Sequence, residues 1–113
     1  MALDEGLMLF MRDSIRSVWA IDILVALRRD RAHAWTSEAL ANELRSNVRL
    51  VSEILAELET AGLTLRQDGR FIYSPADADL DELSSRLEQT YRERPVAVRQ
   101  AIQTARRSTG TAP

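Results

Sequence analysis

His33 is the only histidine in the 113-residue chain, and cysteine is absent. One imidazole supplies neither a histidine-based metal cluster nor a Ser-His-Asp triad, and without thiols there are no disulfides or thiolate metal sites. His33 stands in the charged run Arg28-Arg29-Asp30-Arg31-Ala32-His33 and reads as a solvated loop residue. Asp77, Asp79, Asp81 and Glu82 gather carboxylates, but the loop glycine and final glutamate of a calcium hand are missing. The same residues suit the positive end of a helix dipole. Four glycines leave no phosphate-cradling loop. No catalytic residue, metal ligand or cofactor is therefore expected. What remains is arginine chemistry. All fifteen basic residues are arginine, whose planar fork fits phosphate and guanine edges; a GC-rich genome accounts for the same bias without any function.

The elements that would position these arginines are legible from apolar spacing. Val48, Val51, Ile54, Leu55 and Leu58 predict an amphipathic helix within residues 47–63. Gly62 closes it in a left-handed conformation, with Leu63 folding back over the last turn. A shorter helix over residues 36–45, capped by Thr36 or Ser37, precedes it across a tight turn. Asp68-Gly69 predicts a hairpin pairing residues 64–66 with 70–73, in which Phe71 and Tyr73 alternate with Arg70 and Ile72. Upstream, residues 13–29 read as a helix capped by Asp13 or Ser14. Its apolar residues cover two faces, so it needs packing partners on both sides. Residues 3–12 are too apolar for a free tail and predict a short docking helix. Downstream, Leu80, Leu83, Leu87 and Tyr91 form a narrow seam suited to helix packing. Pro95 opens a further helix, and residues 108–113 are expected to be a disordered polar tail.

Helix, tight turn, helix and hairpin in that order resemble the winged helix-turn-helix. Ser37-Glu38-Ala39-Leu40-Ala41, followed by V-S-x-x-L-x-x-L-E-x-x-G-L over residues 51–63, is similar to the pattern of MarR-type and related bacterial transcriptional regulators. The resemblance covers about residues 13–75. It implies an α+β, mostly α fold: an N-terminal helical arm (1–12), the winged helix-turn-helix (13–75), two C-terminal dimerisation helices (76–107) and the tail. It also implies a short strand at Trp35 pairing with the wing. The implied function is a homodimeric, non-enzymatic regulator that binds double-stranded DNA, with the recognition helix in the major groove and the wing toward the minor groove. Arg45, Ser46, Asn47, Arg49 and Ser52 then fall against bases and phosphates, with Arg66 and Arg70 on the wing. Arg49 forks onto guanine and Asn47 onto adenine, while Ser46 and Ser52 suit phosphate oxygens. Leu3, Leu7, Phe10 and Met11, together with Leu80, Leu83, Leu87 and Tyr91, are the expected dimer interface, because apolar seams need a partner.

Charge opposes this reading. The formal net charge is −2 and the pI about 5.4, whereas phosphate binding usually shows as basic excess. Between Arg45 and Arg70 the arginines 45, 49, 66 and 70 are balanced by Glu53, Glu57, Glu59 and Asp68, so low non-specific affinity is expected. On spacing alone the same arginines are equally the solvated face of a core helix. With Leu50 at the surface, the alternative is a winged-helix adaptor that docks on a protein partner and binds no DNA. Trp19 and Trp35 are either core or the walls of a small-molecule pocket. Hydrophobic residues make up 45% and charged residues 28% of the chain, as in a soluble globular domain. No apolar run approaches the roughly 18 residues of a membrane span. Asp4 and Glu5 stand where a secretory signal would be basic. With cysteine absent, the expected location is the cytoplasm.

Overall fold

Ser17 divides the apolar N-terminal third at a place the pattern does not announce. In the computed structural model, which describes residues 5–110 and the side chains of 5–104, α1 (Glu5–Ser14) runs past the expected boundary and α2 (Val18–Arg29) begins late. Asp13 and Ser14, expected to cap α2, instead end α1. Ser17 takes the capping role in extended backbone, its Oγ accepting the Ala20 N–H at 3.2 Å. Ile15, between the two helices, is buried in the core.

The remaining elements follow their local signals. Thr36 caps α3 (Ser37–Leu44), its Oγ1 accepting the Ala39 N–H at 3.1 Å. Asn47 caps α4 (Val48–Thr60). Gly62, at φ 82°, closes α4, with the Leu63 N–H reaching back to the Leu58 carbonyl at 2.9 Å. Leu63 is fully buried, as its position after the glycine predicts. Then β1 (Thr64–Gln67) and β2 (Arg70–Tyr73) pair antiparallel, Thr64 opposite Tyr73 and Gln67 opposite Arg70. The Asp68-Gly69 turn has positive φ at both residues, 54° and 76°, the pattern that matches strand twist in two-residue hairpins. Trp35 adds a one-residue bridge, exchanging both backbone hydrogen bonds with Phe71 at 2.8 and 2.7 Å. Asp77 caps α5 (Ala78–Glu93), and Pro95 begins α6 (Pro95–Gly110). The helix thus includes residues 108–110 of the expected tail; residues 111–113 lie outside the described residues. The fold is α+β and mostly α, six helices and one two-stranded sheet among the described residues.

One hydrophobic cluster runs from Leu7 of α1 to Ile102 of α6. α2 is its centre, packing against α3, α4, β2 and α5, while α1 lies across α5 and α6. Of the residues expected at a dimer interface, four are engaged within the chain. Leu7, Phe10, Met11 and Leu87 are buried within the chain itself, and Leu80, Leu83 and Tyr91 pack half-buried against the same cluster. α1 packs on α5 and α6, so the burial of Leu7, Phe10, Met11 and Leu87 is met inside one subunit. Leu3 lies outside the described residues. The large apolar side chains that α1 leaves in solvent are Met8 and Leu9.

Leu87→Ala should lower the unfolding free energy by about 2–5 kcal/mol. Measured by urea unfolding, that loss should come with no change in oligomeric state; dissociation of the variant at a protein concentration where the wild type stays associated would return Leu87 to an interface between subunits.

Candidate nucleic-acid interface

α4 is sharply two-faced. Val51, Ile54, Leu55 and Leu58 are buried, and Arg49, Glu53, Glu57 and Thr60 are exposed, with Ser52 and Ala56 half-buried between them. Its N-terminal end is the more open one. Toward the C-terminal end a cleft of about 420 Å³ lies between Asp13, Ser14 and Arg16 on one side and Ala56, Glu57, Thr60 and Ala61 on the other.

The turn from α3 into α4 sets the position of that open end. The Ser46 N–H donates to the Ala41 carbonyl at 2.9 Å and the Arg45 N–H to the Asn42 carbonyl at 3.3 Å, while Arg45 adopts the left-handed conformation at φ 53°. The same closure ends α4, where the left-handed residue is Gly62. A side chain in this conformation costs roughly 1–2 kcal/mol, so arginine at residue 45 is not the most stable choice for the turn. Its guanidinium is exposed, with no ion-pair partner among the described residues. Asn47 follows as the N-cap, its Oδ1 accepting the Leu50 N–H at 2.7 Å.

The sequence-derived reading residues therefore divide. Arg45, Ser46, Asn47, Arg49 and Ser52 come together at the start of α4. Asn47 is held as a cap, and its expected two-bond fork onto adenine conflicts with an oxygen already committed to the helix backbone. Arg49 is exposed, its Nε 3.4 Å from Glu53 Oε1. Arg66 is turned back from the hairpin surface: its Nη2 lies 3.1 Å from Glu59 Oε1 on α4, and its guanidinium covers the Phe71 ring at 4.7 Å. It ties the hairpin to α4 rather than projecting from it. Arg70 is exposed beside the turn, without an ion pair among the described residues. Leu50, expected at the surface, is half-buried against the core; the exposed apolar side chains here are Val48 and Leu65.

The root of the hairpin is anchored by charge. The Tyr73 hydroxyl donates to Asp81 Oδ1 at 2.7 Å, and Arg31 Nη2 donates to the same oxygen at 2.9 Å. The Arg31 and Arg28 guanidiniums lie 4.9 and 5.5 Å from the Tyr73 ring centroid. The phenol bond, and after it the charge of Arg31, hold the Asp81 carboxyl below its ordinary range against the pull of burial. Burial first, and donation to Asp81 second, push the Tyr73 phenol up. Arg28 also pairs with Glu88, which in turn accepts from Arg92 at 2.9 Å.

No family model matches the chain, and no curated protein or solved structure matches it.

Trp19 and Trp35 separate. Trp19 lines a cleft of about 500 Å³ where α2, α3, α5 and α6 meet, with Asp22, Leu44, Tyr91 and Pro95. There burial raises the Asp22 carboxyl pKa, opposed by the charge of Arg99 and a hydrogen bond from Tyr91. Trp35 is not part of that cleft. It is half-buried, with the exposed His33 ring edge-on at 4.2 Å. Among the described residues no group of side chains is arranged to hold a metal ion, and no helix is long and apolar enough to cross a membrane. Sequence reasoning missed the carboxylate partners. The Arg49–Glu53 pair was readable from its i, i+4 spacing. Glu59 with Arg66, and Tyr73 with Asp81, need the tertiary structure.

Two outcomes follow from this geometry. Arg45→Gly should raise stability by about 0.5–1 kcal/mol, the relieved left-handed strain less the added freedom of the unfolded chain, measured by urea unfolding. Asp81 is depressed in the folded state, so its contribution is present above the unfolded aspartate pKa and lost as pH falls through the folded value. Asp81→Asn should therefore flatten the loss of stability on the acid side of pH 4; an unchanged acid limb would remove Asp81 from the anchor.

Proposed function

We propose that this chain is a DNA-binding transcriptional regulator of the winged helix-turn-helix type, acting as a homodimer, with the N-terminal half of α4 in the major groove and the hairpin along the backbone or minor groove. The observation that carries the reading is Arg45. A charged residue occupies the left-handed turn position where α4's own closure has glycine, and its guanidinium stands exposed at the start of a helix buried on its other side. Strain retained for no structural gain points to use. Arg49, the second residue of α4, and Arg70, beside the hairpin turn, extend the same exposed arginine set. Unpaired N–H groups at the start of α4 favour phosphate at the same end.

Duplex DNA offers half-sites one helical turn apart, and two copies related by two-fold symmetry would place one α4 on each. With Leu7, Phe10, Met11 and Leu87 buried in the chain, such a dimer must use other surface, and Met8 and Leu9 of α1, Trp19 and Val96 are exposed apolar candidates. A regulator of this kind works where the chromosome is, which on this reading is the cytoplasm.

The second reading, a winged-helix adaptor that binds protein, draws on Val48 and Leu65, both more than two-fifths exposed in the charge-balanced stretch from Arg45 to Arg70. Such a protein has no DNA affinity to lose.

Retention of fragmented genomic DNA at several salt concentrations separates the two. A regulator should keep a few fragments sharing an inverted repeat, with affinity falling steeply as salt rises. Arg49→Ala should cost about 1–3 kcal/mol on the retained site, whereas Arg70→Ala should weaken all duplexes alike and lower the salt slope by about 1. Failure to retain DNA at low salt would leave the adaptor.

A further inference from the structure

The ion pair on the exposed face of α4 is one-sided. Glu53 Oε1 approaches Arg49 through Nε, at 3.4 Å, and no other side-chain bond engages either residue among the described residues. Both Nη groups of Arg49 and the second carboxylate oxygen of Glu53 are therefore left to solvent. The side chains are 91% and 61% exposed, and a pair so open to water adds little to the fold. Yet Glu53 places a negative charge in the middle of the face that would meet phosphate.

We propose that Arg49 and Glu53 form one reading unit for a guanine with a neighbouring cytosine, which rests on the DNA-binding function proposed above. Glu53 grips the Nε edge and presents the Nη fork of Arg49 to the O6 and N7 acceptors of guanine. Holding the long side chain in place beforehand reduces what is lost on binding. The free Glu53 oxygen accepts from the N4 amino group of cytosine. Guanine and thymine turn only acceptors toward that oxygen, and adenine sets its N7 acceptor beside its one amino donor, so cytosine is the base a carboxylate prefers. Residues four apart on one helix face are about 5–6 Å apart, which matches bases one or two steps apart at ~3.4 Å each. The same carboxylate repels phosphate, so the unit suppresses binding to duplexes that lack the pair of bases.

The test is selection from randomised duplexes with the full-length wild type, Glu53→Gln, Glu53→Ala and Arg49→Lys, each checked for unchanged helicity and melting temperature. The wild type should enrich a motif with guanine and cytosine at the two positions. Glu53→Gln, whose amide both donates and accepts, should move the cytosine position toward adenine, and Glu53→Ala should lower discrimination there roughly tenfold. Arg49→Lys should lose the guanine preference while keeping its salt dependence. A wild-type motif without adjacent guanine and cytosine, or a motif that survives Glu53→Gln unchanged, overturns the unit while leaving DNA binding standing. Enrichment of no duplex by the wild type overturns both.

Discussion

The burial of α2 on two sides is the constraint on which the other elements depend. Ile21, Ile23, Leu24 and Leu27 are almost completely buried, and side chains of this size contribute about 1.5–3 kcal/mol each when removed from water. Exposed ion pairs such as Arg12–Asp13 contribute about 0–1 kcal/mol at most. Apolar packing around α2 therefore decides the architecture, and the charged contacts adjust it. α3, α4, β2 and α5 all pack against α2. α3 and α4 thus share one core with the terminal helices α1, α5 and α6.

That sharing explains what the sequence could and could not reveal. Elements stopped by local chemistry were legible: Gly62 and Leu63 at the end of α4, Asp68-Gly69 in the hairpin, Asp77 and Pro95 at the two helix starts. Each is decided by the conformational freedom or hydrogen bonding of one or two residues. The two-faced pattern of α2 also announced its central place. The destination of the α1 and α5 seams was not legible, because an apolar stripe states that it must be covered and is silent on what covers it. Leu7, Phe10 and Met11 meet α5 and α6 in the same chain because the connections fold α1 back across them. The start of α2 moved for a related reason: Ile15 is drawn into the core, which makes Ser17, not Asp13 or Ser14, the residue free to cap.

The candidate site shows the same division between local and tertiary information. Arg45, Arg49 and Arg70 are exposed as their spacing suggests. Asn47 and Arg66 have structural work, one capping α4 and the other bridging Glu59 and Phe71. A count of basic residues treats all of these alike, although their availability differs. The count of acidic residues misleads in the same way. Glu59 is taken up by Arg66 and Asp81 by Arg31 and Tyr73, so the charge balance along the chain is a poor guide to the charge that the surface offers a partner.

Beyond the burial of Phe71 and Tyr73 in the core, the hairpin is tied to the body by the Trp35 bridge to Phe71, the Arg66–Glu59 pair, and the Tyr73–Asp81 bond with its flanking arginines. They act at the far edge, the face toward α4 and the root, so tilting of the hairpin relative to α4 is opposed from three directions. Isolated two-stranded hairpins are marginal in water, and these contacts give this one a fixed orientation. On the proposed function, a fixed hairpin beside α4 lowers the ordering cost of engaging two parts of a duplex at once. It does so without the broad positive field that raises affinity for every duplex. A nearly neutral surface with a few exposed arginines is then suited to discrimination. The acidic pI, read first as evidence against a DNA partner, is compatible with one that must be chosen among many competing sites.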